Sequence, residues 1–277
     1  MSKAAIKPKI LFAFSKRDFI FKLFAWYYLY MDFCICYDNN NSINQNIKKR
    51  DGKNMYKYQL HTHSSPASHC SKTSPEDFAH AILEGGYTGC VLTNHFLHGN
   101  TGIESFISWK AFVEEYCEDY YRMKAVGDKI GIDVLFGVEE EVAKGLEVLC
   151  YGITPEILLS HPELENNDCK LWHDVLNESG VLCIQAHPFR RRGSIPDPGP
   201  LPLDCIDGIE VFNSGNTSDD NASAQEFAAA HPELILTSGA DAHSVDKCCI
   251  GGIETKERIT CEAGLADVLR HGTYTLL

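Results

Sequence analysis

From residue 56 onward, short β-rich runs that end in polar residues alternate with helical stretches, and this alternation constrains the fold more than any other feature. "KYQLH" (57–61) precedes "SPEDFAHAILEGG", where Ser74 serves as N-cap, Pro75 fills the first helical position and Gly85-Gly86 stop the helix. "TGCVLTNH" (88–95) reads as a second strand. The spacing of Phe112, Tyr116, Tyr120, Met123 and Ile130 predicts a helix over about 105–130, with that stripe in the core. "IDVLFGVEEE" (132–141) and "LEVLCYGI" (146–153) read as strands, and the helix "CKLWHDVLNESG" leads to the strand "VLCIQAHPF" (181–189). "DGIEVFNS" (207–214) is the sixth strand; after the helix "NASAQEFAAAH" comes the seventh, "LILTSGADAH" (234–243). Seven such steps predict an α/β barrel of about seven strands, a relative of the eight-stranded barrel. No repeat or low-complexity segment interrupts it.

The polar strand ends carry histidines and acids in a pattern that points to metal. In a strand, residues i and i+2 share a face, so His61 and His63 project together, and neutral imidazole is a good ligand for Zn, Fe and Mn. His69 follows in a Ser/Pro-rich loop. His95, Glu139, His187, Asp241 and His243 each close or follow another predicted strand, at the end where barrel enzymes build their sites. His80, His173 and His231 fall in helical stretches, where solvated faces account for them.

Composition narrows the function. The formal charge of −13 argues against a general nucleic-acid binder, whose phosphate-tracking surface is basic. The twelve cysteines are scattered, several inside apolar runs such as "GCVLT" and "VLCIQA", and no C-x-x-C pair occurs. They read as reduced thiols, mostly of the core, in a cytoplasmic protein.

Residues 1–54 differ from the rest. "FIFKLFAWYYLYMDFCICY" (19–37) is apolar and aromatic, but Lys22 and Asp32 interrupt it, and a polar run follows. Neither a membrane helix nor a cleaved secretory signal fits well. We expect a leader outside the fold, with Met55 as a candidate true start and a domain over 55–277; a signal anchor is the alternative reading. No membrane association is expected, and the oligomeric state is left open.

The strand-end motifs, taken in order, resemble the polymerase and histidinol phosphatase (PHP) superfamily of metal-dependent phosphoesterases over about residues 57–275. Its His-x-His, Thr-Asp-His, Gly-x-Glu, His-Pro and Asp-x-His motifs are matched by "LHTHS", "LTNH", "FGVE", "QAHPF" and "SGADAH". The resemblance implies a distorted (β/α)7 barrel, similar to a TIM barrel, carrying two or three divalent Zn, Mn or Fe ions. It implies that His61, His63 and Asp241 hold one ion, that Glu139 bridges to a second held by His187, and that His69, His95 and His243 hold a third. It also casts His61, His63, Glu139, His187, Asp241 and His243 as the catalytic set. Two residues depart from the pattern. Asn94 replaces an Asp, removing a carboxylate beside His95. Glu147 falls where many members have a further His ligand of the second ion. As a ligand it would favour Mn or Fe; a register shifted by one would instead turn it to solvent.

Clustered divalent ions acidify a bound water and neutralise phosphoryl oxygens, so the expected activity is phosphoester hydrolysis. In "HPFRRRG", Arg190, which is nearest the ligand His187, is the foremost candidate phosphate contact, with Arg191 and Arg192 behind it, because guanidinium pairs bidentately with such oxyanions. The expected substrate is a small phosphorylated metabolite, such as histidinol phosphate or a nucleoside phosphate. Hydrolysis of a non-phosphate bond such as an amide, and a non-catalytic module that regulates a partner, are the alternatives.

Overall fold

The structure is a computed structural model and describes residues 55–277 apart from Ser105, Ser194, Pro196 and Asp197. The expected leader, 1–54, lies outside the described residues. The first strand, β1 (Tyr56–Thr62), is followed by helix α1 (Pro75–Glu84), which Ser74 caps by accepting the Asp77 N–H. Next come β2 (Gly89–Leu92) and α2 (Trp109–Ile130). The buried stripe of α2 is Phe112, Tyr116, Tyr120 and Met123, as the spacing implied, but the helix begins later, behind the N-cap Ser108.

Strands β3 (Asp133–Ala143) and β4 (Leu146–Tyr151) form a hairpin rather than two steps separated by a helix. Gly145, at φ 73, makes the tight reversal. The remaining order is α3 (Pro155–Ser160), α4 (Cys169–Glu178), β5 (Leu182–Gln185), β6 (Gly208–Asn213), α5 (Ser218–Ala230) and β7 (Ile235–Gly239), then β8 (Ile253–Thr255), α6 (Glu262–Arg270) and β9 (Tyr274–Leu276). The last three elements were not anticipated.

The sheet runs β7-β6-β5-β4-β3-β2-β1-β8-β9. Pairing is parallel except around β4 and at β8 and β9, which are antiparallel to their neighbours. The first seven strands curl until the ends meet: the His63 N–H donates to the Ala242 carbonyl at 2.9 Å, and the Ala242 N–H to the His61 carbonyl at 3.2 Å. The sheet is therefore a nearly closed, distorted barrel of the TIM-like kind. Lower on the seam, where strand pairing is incomplete, the buried Gln59 side chain supplies the missing partners. Its Oε1 accepts from the N–H groups of Leu60 (3.0 Å), His61 (3.2 Å) and Ala240 (2.8 Å). Its Nε2 donates to the carbonyls of Cys248 (3.0 Å) and Ile250 (3.1 Å).

Side chains alternate across each strand. Val134, Phe136, Ile209 and Val211 face outward and pack with Phe112, Tyr116 and Trp172 of the helices. Tyr58, Leu60, Val91, Leu135, Leu149, Tyr151, Leu182 and Ile184 fill the barrel interior, which Leu265 and Leu269 of α6 help to close. The interior is thus a packed floor, and polar groups gather above it.

Candidate metal centre

The same alternation that packs the floor carries acids to the mouth. Glu139 lies four residues beyond Leu135 on the inner face of β3. Glu147 begins β4 rather than ending it, but β4 runs antiparallel, so its first residues lie beside the last residues of β3, with Glu147 opposite Glu141. The hairpin, and not a strand end, therefore brings Glu147 to the mouth. It is buried, which excludes the solvent-facing alternative for this residue.

The structure brings together His61, His63, His95, Glu139, Glu147, His187, Asp241 and His243. They fall into four overlapping groups in which one potential ligand atom from each member lies within 4.8 Å of the others: His61/His63/Glu139, His61/His187/Asp241, His95/Glu139/Glu147 and His63/His95/His243. Glu139 is central. Its oxygens stand 3.1 Å from His61 Nε2, 3.3 Å from His63 Nε2, 2.8 Å from His95 Nδ1 and 3.3 Å from His187 Nε2. Asp241 Oδ1 lies 3.2 Å from His63 Nε2 and 3.5 Å from His61 Nε2, and Glu147 Oε2 lies 3.4 Å from His187 Nε2.

These atoms are buried and largely unpaired. His61 Nε2, His63 Nε2, His95 Nδ1, both Glu139 oxygens, Glu147 Oε2 and His187 Nε2 have no hydrogen-bond partner, and the only others among the described residues are His173 Nδ1 and Thr237 Oγ1. Buried polar atoms are normally satisfied, so convergent orphans of ligand type fit a bound cation.

The far sides of the rings set their tautomers. His61 Nδ1 is 3.2 Å from Glu210 Oε1; a carboxylate only accepts, so Nδ1 carries the proton and the Nε2 lone pair faces the cluster. His243 Nδ1 donates to the Asp241 carbonyl at 2.9 Å. The Ser68 hydroxyl donates to Asn94 Oδ1 (2.9 Å), so His63 Nδ1, 3.3 Å from Ser68 Oγ, is the donor of that pair. Asn94 spends its amide on Ser64 and Ser68 and not on the His95 ring. Gly239 makes the Glu210–His61 contact possible, because a Cβ there would lie 2.4 Å from Glu210 Oε1 and 2.6 Å from His61 Cβ.

Two members hold uncommon backbone conformations: His187 at φ 28 and Asp241 at φ 52. Such strain costs about 1–3 kcal/mol and concentrates at functional sites. The electrostatics are equally unusual. Burial opposes charge on His61, yet the Glu139, Asp241 and Glu210 carboxylates raise it well above an ordinary histidine. Burial and the neighbouring His95 push His63 down to about 3. Burial and the Glu139 charge push Glu147 up to about 8.

Three expected residues lie elsewhere or have other partners. His69 is exposed and belongs to none of the four groups. Burial would raise the neighbouring Cys70 thiol, but the His243 and His95 imidazoles draw it down to about 6. Arg190 has its guanidinium engaged with Asp241, Asn213 and Asn216. Arg191 donates to Asp220 Oδ1 at 2.7 Å, away from the cluster. Arg192 is the arginine at the mouth, 3.8 Å from Glu147 Oε2. Glu210 and Gln59 were not foreseen. The only local sign for Glu210 was a carboxylate between apolar neighbours in "GIEVF".

No protein-family model matches the sequence, and no curated protein does. Solved structures do share its fold. A two-domain protein from Bacteroides vulgatus containing a predicted PHP-like metal-dependent phosphoesterase superposes with a TM-score of 0.60 at 17% identity, over 84% of this chain and 67% of that one. An amidohydrolase from Chromobacterium violaceum, solved with bound sulfate and no metal, gives 0.50 at 14% identity, over 79% and 97% of the two chains. The lesion-specific endonuclease EndoQ from Pyrococcus furiosus gives 0.51 at 13% identity, over 80% and 58%.

Proposed function

We propose, from the premise that this chain has the fold of the PHP-like metal-dependent phosphoesterases, that it hydrolyses the phosphate ester of a small metabolite at a centre of two or three divalent ions. The observation that carries this reading is the set of seven buried, unpartnered nitrogen and oxygen atoms converging on Glu139 at the barrel mouth. The fold neighbours include a phosphoesterase domain, an endonuclease and an amidohydrolase, so fold alone does not choose the bond cleaved. The charge of −13 favours a small substrate over a nucleic-acid strand.

In this reading His61, His63, Glu139 and Asp241 would hold one ion, Glu139, His187 and Glu147 a second, and His95 and His243 a third. Bound divalent ions supply an acidified water for attack and positive charge to offset the phosphoryl oxygens. Glu210 keeps the His61 lone pair aimed inward, and Arg190 fixes the Asp241 carboxylate. Arg192, whose Nη1 lies 3.8 Å from Glu147 Oε2 at the mouth, would contact the phosphoryl group and offset charge that shifts towards the leaving oxygen. Among the described residues no helix is long and apolar enough to cross a membrane; the scattered cysteines, with no C-x-x-C pair, are the feature of the sequence that favours a reducing, cytoplasmic setting.

The test is a substrate panel assayed with added Mn or Zn: histidinol phosphate, nucleoside monophosphates, a phosphodiester and amides. Metal-dependent release of inorganic phosphate from a monoester is expected. Turnover confined to amides would transfer the site to the amidohydrolase reading, and no turnover with a loaded centre would leave a binding module.

A further inference from the structure

Helix α2 packs on the outer side of the strands, yet one of its faces reaches the loop behind the histidine cluster. Tyr116, Asp119 and Arg122 recur along that face at one-turn spacing. Tyr116 donates its hydroxyl to the Asn94 carbonyl at 2.6 Å. Asp119 is only 2% exposed, and three donors converge on its carboxylate. The Ser64 hydroxyl (2.8 Å) and the Ala67 N–H (3.1 Å) donate to Oδ2, and Arg122 Nη1 (3.2 Å) donates to Oδ1. Arg122 is held in turn by two hydrogen bonds to Glu76 of α1, at 2.9 and 2.8 Å. None of these partners is a candidate ligand. A buried ion pair is weak support for a fold, because desolvation offsets much of its attraction.

From Asp119 a line of hydrogen bonds runs to His63, and every donor and acceptor along it is fixed. A backbone N–H can only donate, so the Ser64 N–H, 2.6 Å from Asn94 Oδ1, sets which end of that amide is oxygen. The other end, Nδ2, donates to Ser64 Oγ at 3.1 Å, and the Ser64 proton goes to Asp119. Asn94 Oδ1 also takes the Ser68 hydroxyl proton at 2.9 Å. Ser68 Oγ then has lone pairs for the His95 N–H at 3.0 Å and for His63 Nδ1–H at 3.3 Å. Ser64, Ser68, Asn94 and His63 are all buried. Asn94 suits this line where Asp would not: two carboxylates flanking Ser64 Oγ would compete for its one proton.

We propose that Asp119 is the positioning residue for His63: through Ser64, Asn94 and Ser68 it holds the imidazole in the tautomer that presents Nε2 to a cation. This rests on the metal-centre reading above. Asp119 also fixes the Ala67 N–H, so it anchors the turn that delivers Ser68.

Zinc affinity, by chelator competition, and urea stability are to be measured on wild type, Asp119→Asn, Ser64→Ala and the double variant. Asp119→Asn keeps the shape but brings an N–H where only acceptors serve. It should weaken zinc binding about 10-fold, the lower end for groups behind ligating histidines. Ser64→Ala cuts the line but keeps its backbone N–H on Asn94, and should weaken binding equally. The double variant should lose no more, because the two residues act through one another. In zinc-loaded wild type, proton–nitrogen NMR should place the His63 ring proton on Nδ1, a readout that needs no variant. Unchanged zinc affinity in Asp119→Asn, whatever its stability, overturns the positioning role and leaves the metal centre standing. Losses that multiply in the double variant, or a His63 proton on Nε2, do the same. Wild type that binds no zinc overturns the metal centre, and the role of Asp119 with it.

Discussion

Glu210 Oε1 lies 3.2 Å from His61 Nδ1, on the side of the imidazole opposite Glu139, whose Oε1 is 3.1 Å from Nε2. Glu210 Oε2 also accepts the His187 N–H at 3.1 Å and the Asn213 amide at 2.7 Å, so one buried carboxylate orients two candidate ligands. Groups behind ligating histidines are typically worth about 10–100-fold in metal affinity. Glu210→Ala should lose that much in competition against a chelator, and Glu210→Gln, which keeps the shape, should lose less. Equal affinity in all three proteins would make Glu210 a structural carboxylate only.

Replacing a candidate ligand should remove turnover and spare the fold, because the ligands sit above the packed floor. For Asp241 the suitable change is Asn, which also tolerates a backbone at φ 52. Asp241→Asn and His63→Ala should each cut kcat by orders of magnitude with an unchanged circular-dichroism spectrum. Near-normal turnover in either would refute the ligand assignment.

The arginines should separate kinetically. Arg192→Ala removes a charge at the mouth and should raise KM several-fold for a phosphorylated substrate, with metal content intact. Arg190→Ala frees Asp241 from its guanidinium partner and should lower metal occupancy and kcat together. If Arg190→Ala changes KM alone, it is a substrate contact after all.

Gln59 should matter for stability rather than chemistry. Replacing it with Leu strips partners from five backbone groups at the barrel seam, four of them buried, and each buried orphan costs about 1–3 kcal/mol before relaxation or water entry. A loss of about 3 kcal/mol or more is expected by urea denaturation. A change within experimental error would show that the seam is held elsewhere.

His98 offers a pH test away from the candidate ligands. Its Nδ1 lies 2.6 Å from buried Glu140, and that hydrogen bond raises its pKa despite partial burial. A raised pKa means that the charged form stabilises the fold. The contribution is full below about 6.5, the unfolded value, and is lost as pH rises through the higher folded value. NMR titration should place His98 above an ordinary histidine and show a downward shift in Glu140→Gln; a normal midpoint in wild type would remove the coupling.

Read alone, the sequence determined the strand-end histidines and acids, because polarity at the tip of an apolar run is a local signal that burial makes hard to explain otherwise. His61, His63, His95, Glu139, His187, Asp241 and His243 were legible in this way, and with them a barrel whose strands point these residues to one end. Tertiary structure alone decided which neighbours join them. The loop that carries His69 is fixed by Ser68 and Ser71, which bond to residues 27 and 172 positions away, and His69 is left exposed. Glu147 reaches the mouth because β4 reverses, and Arg190 turns to Asp241 because β7 closes beside it, 51 residues along the chain. Such long-range hydrogen bonds leave no periodicity in the sequence, so their outcome emerges only when the barrel closes.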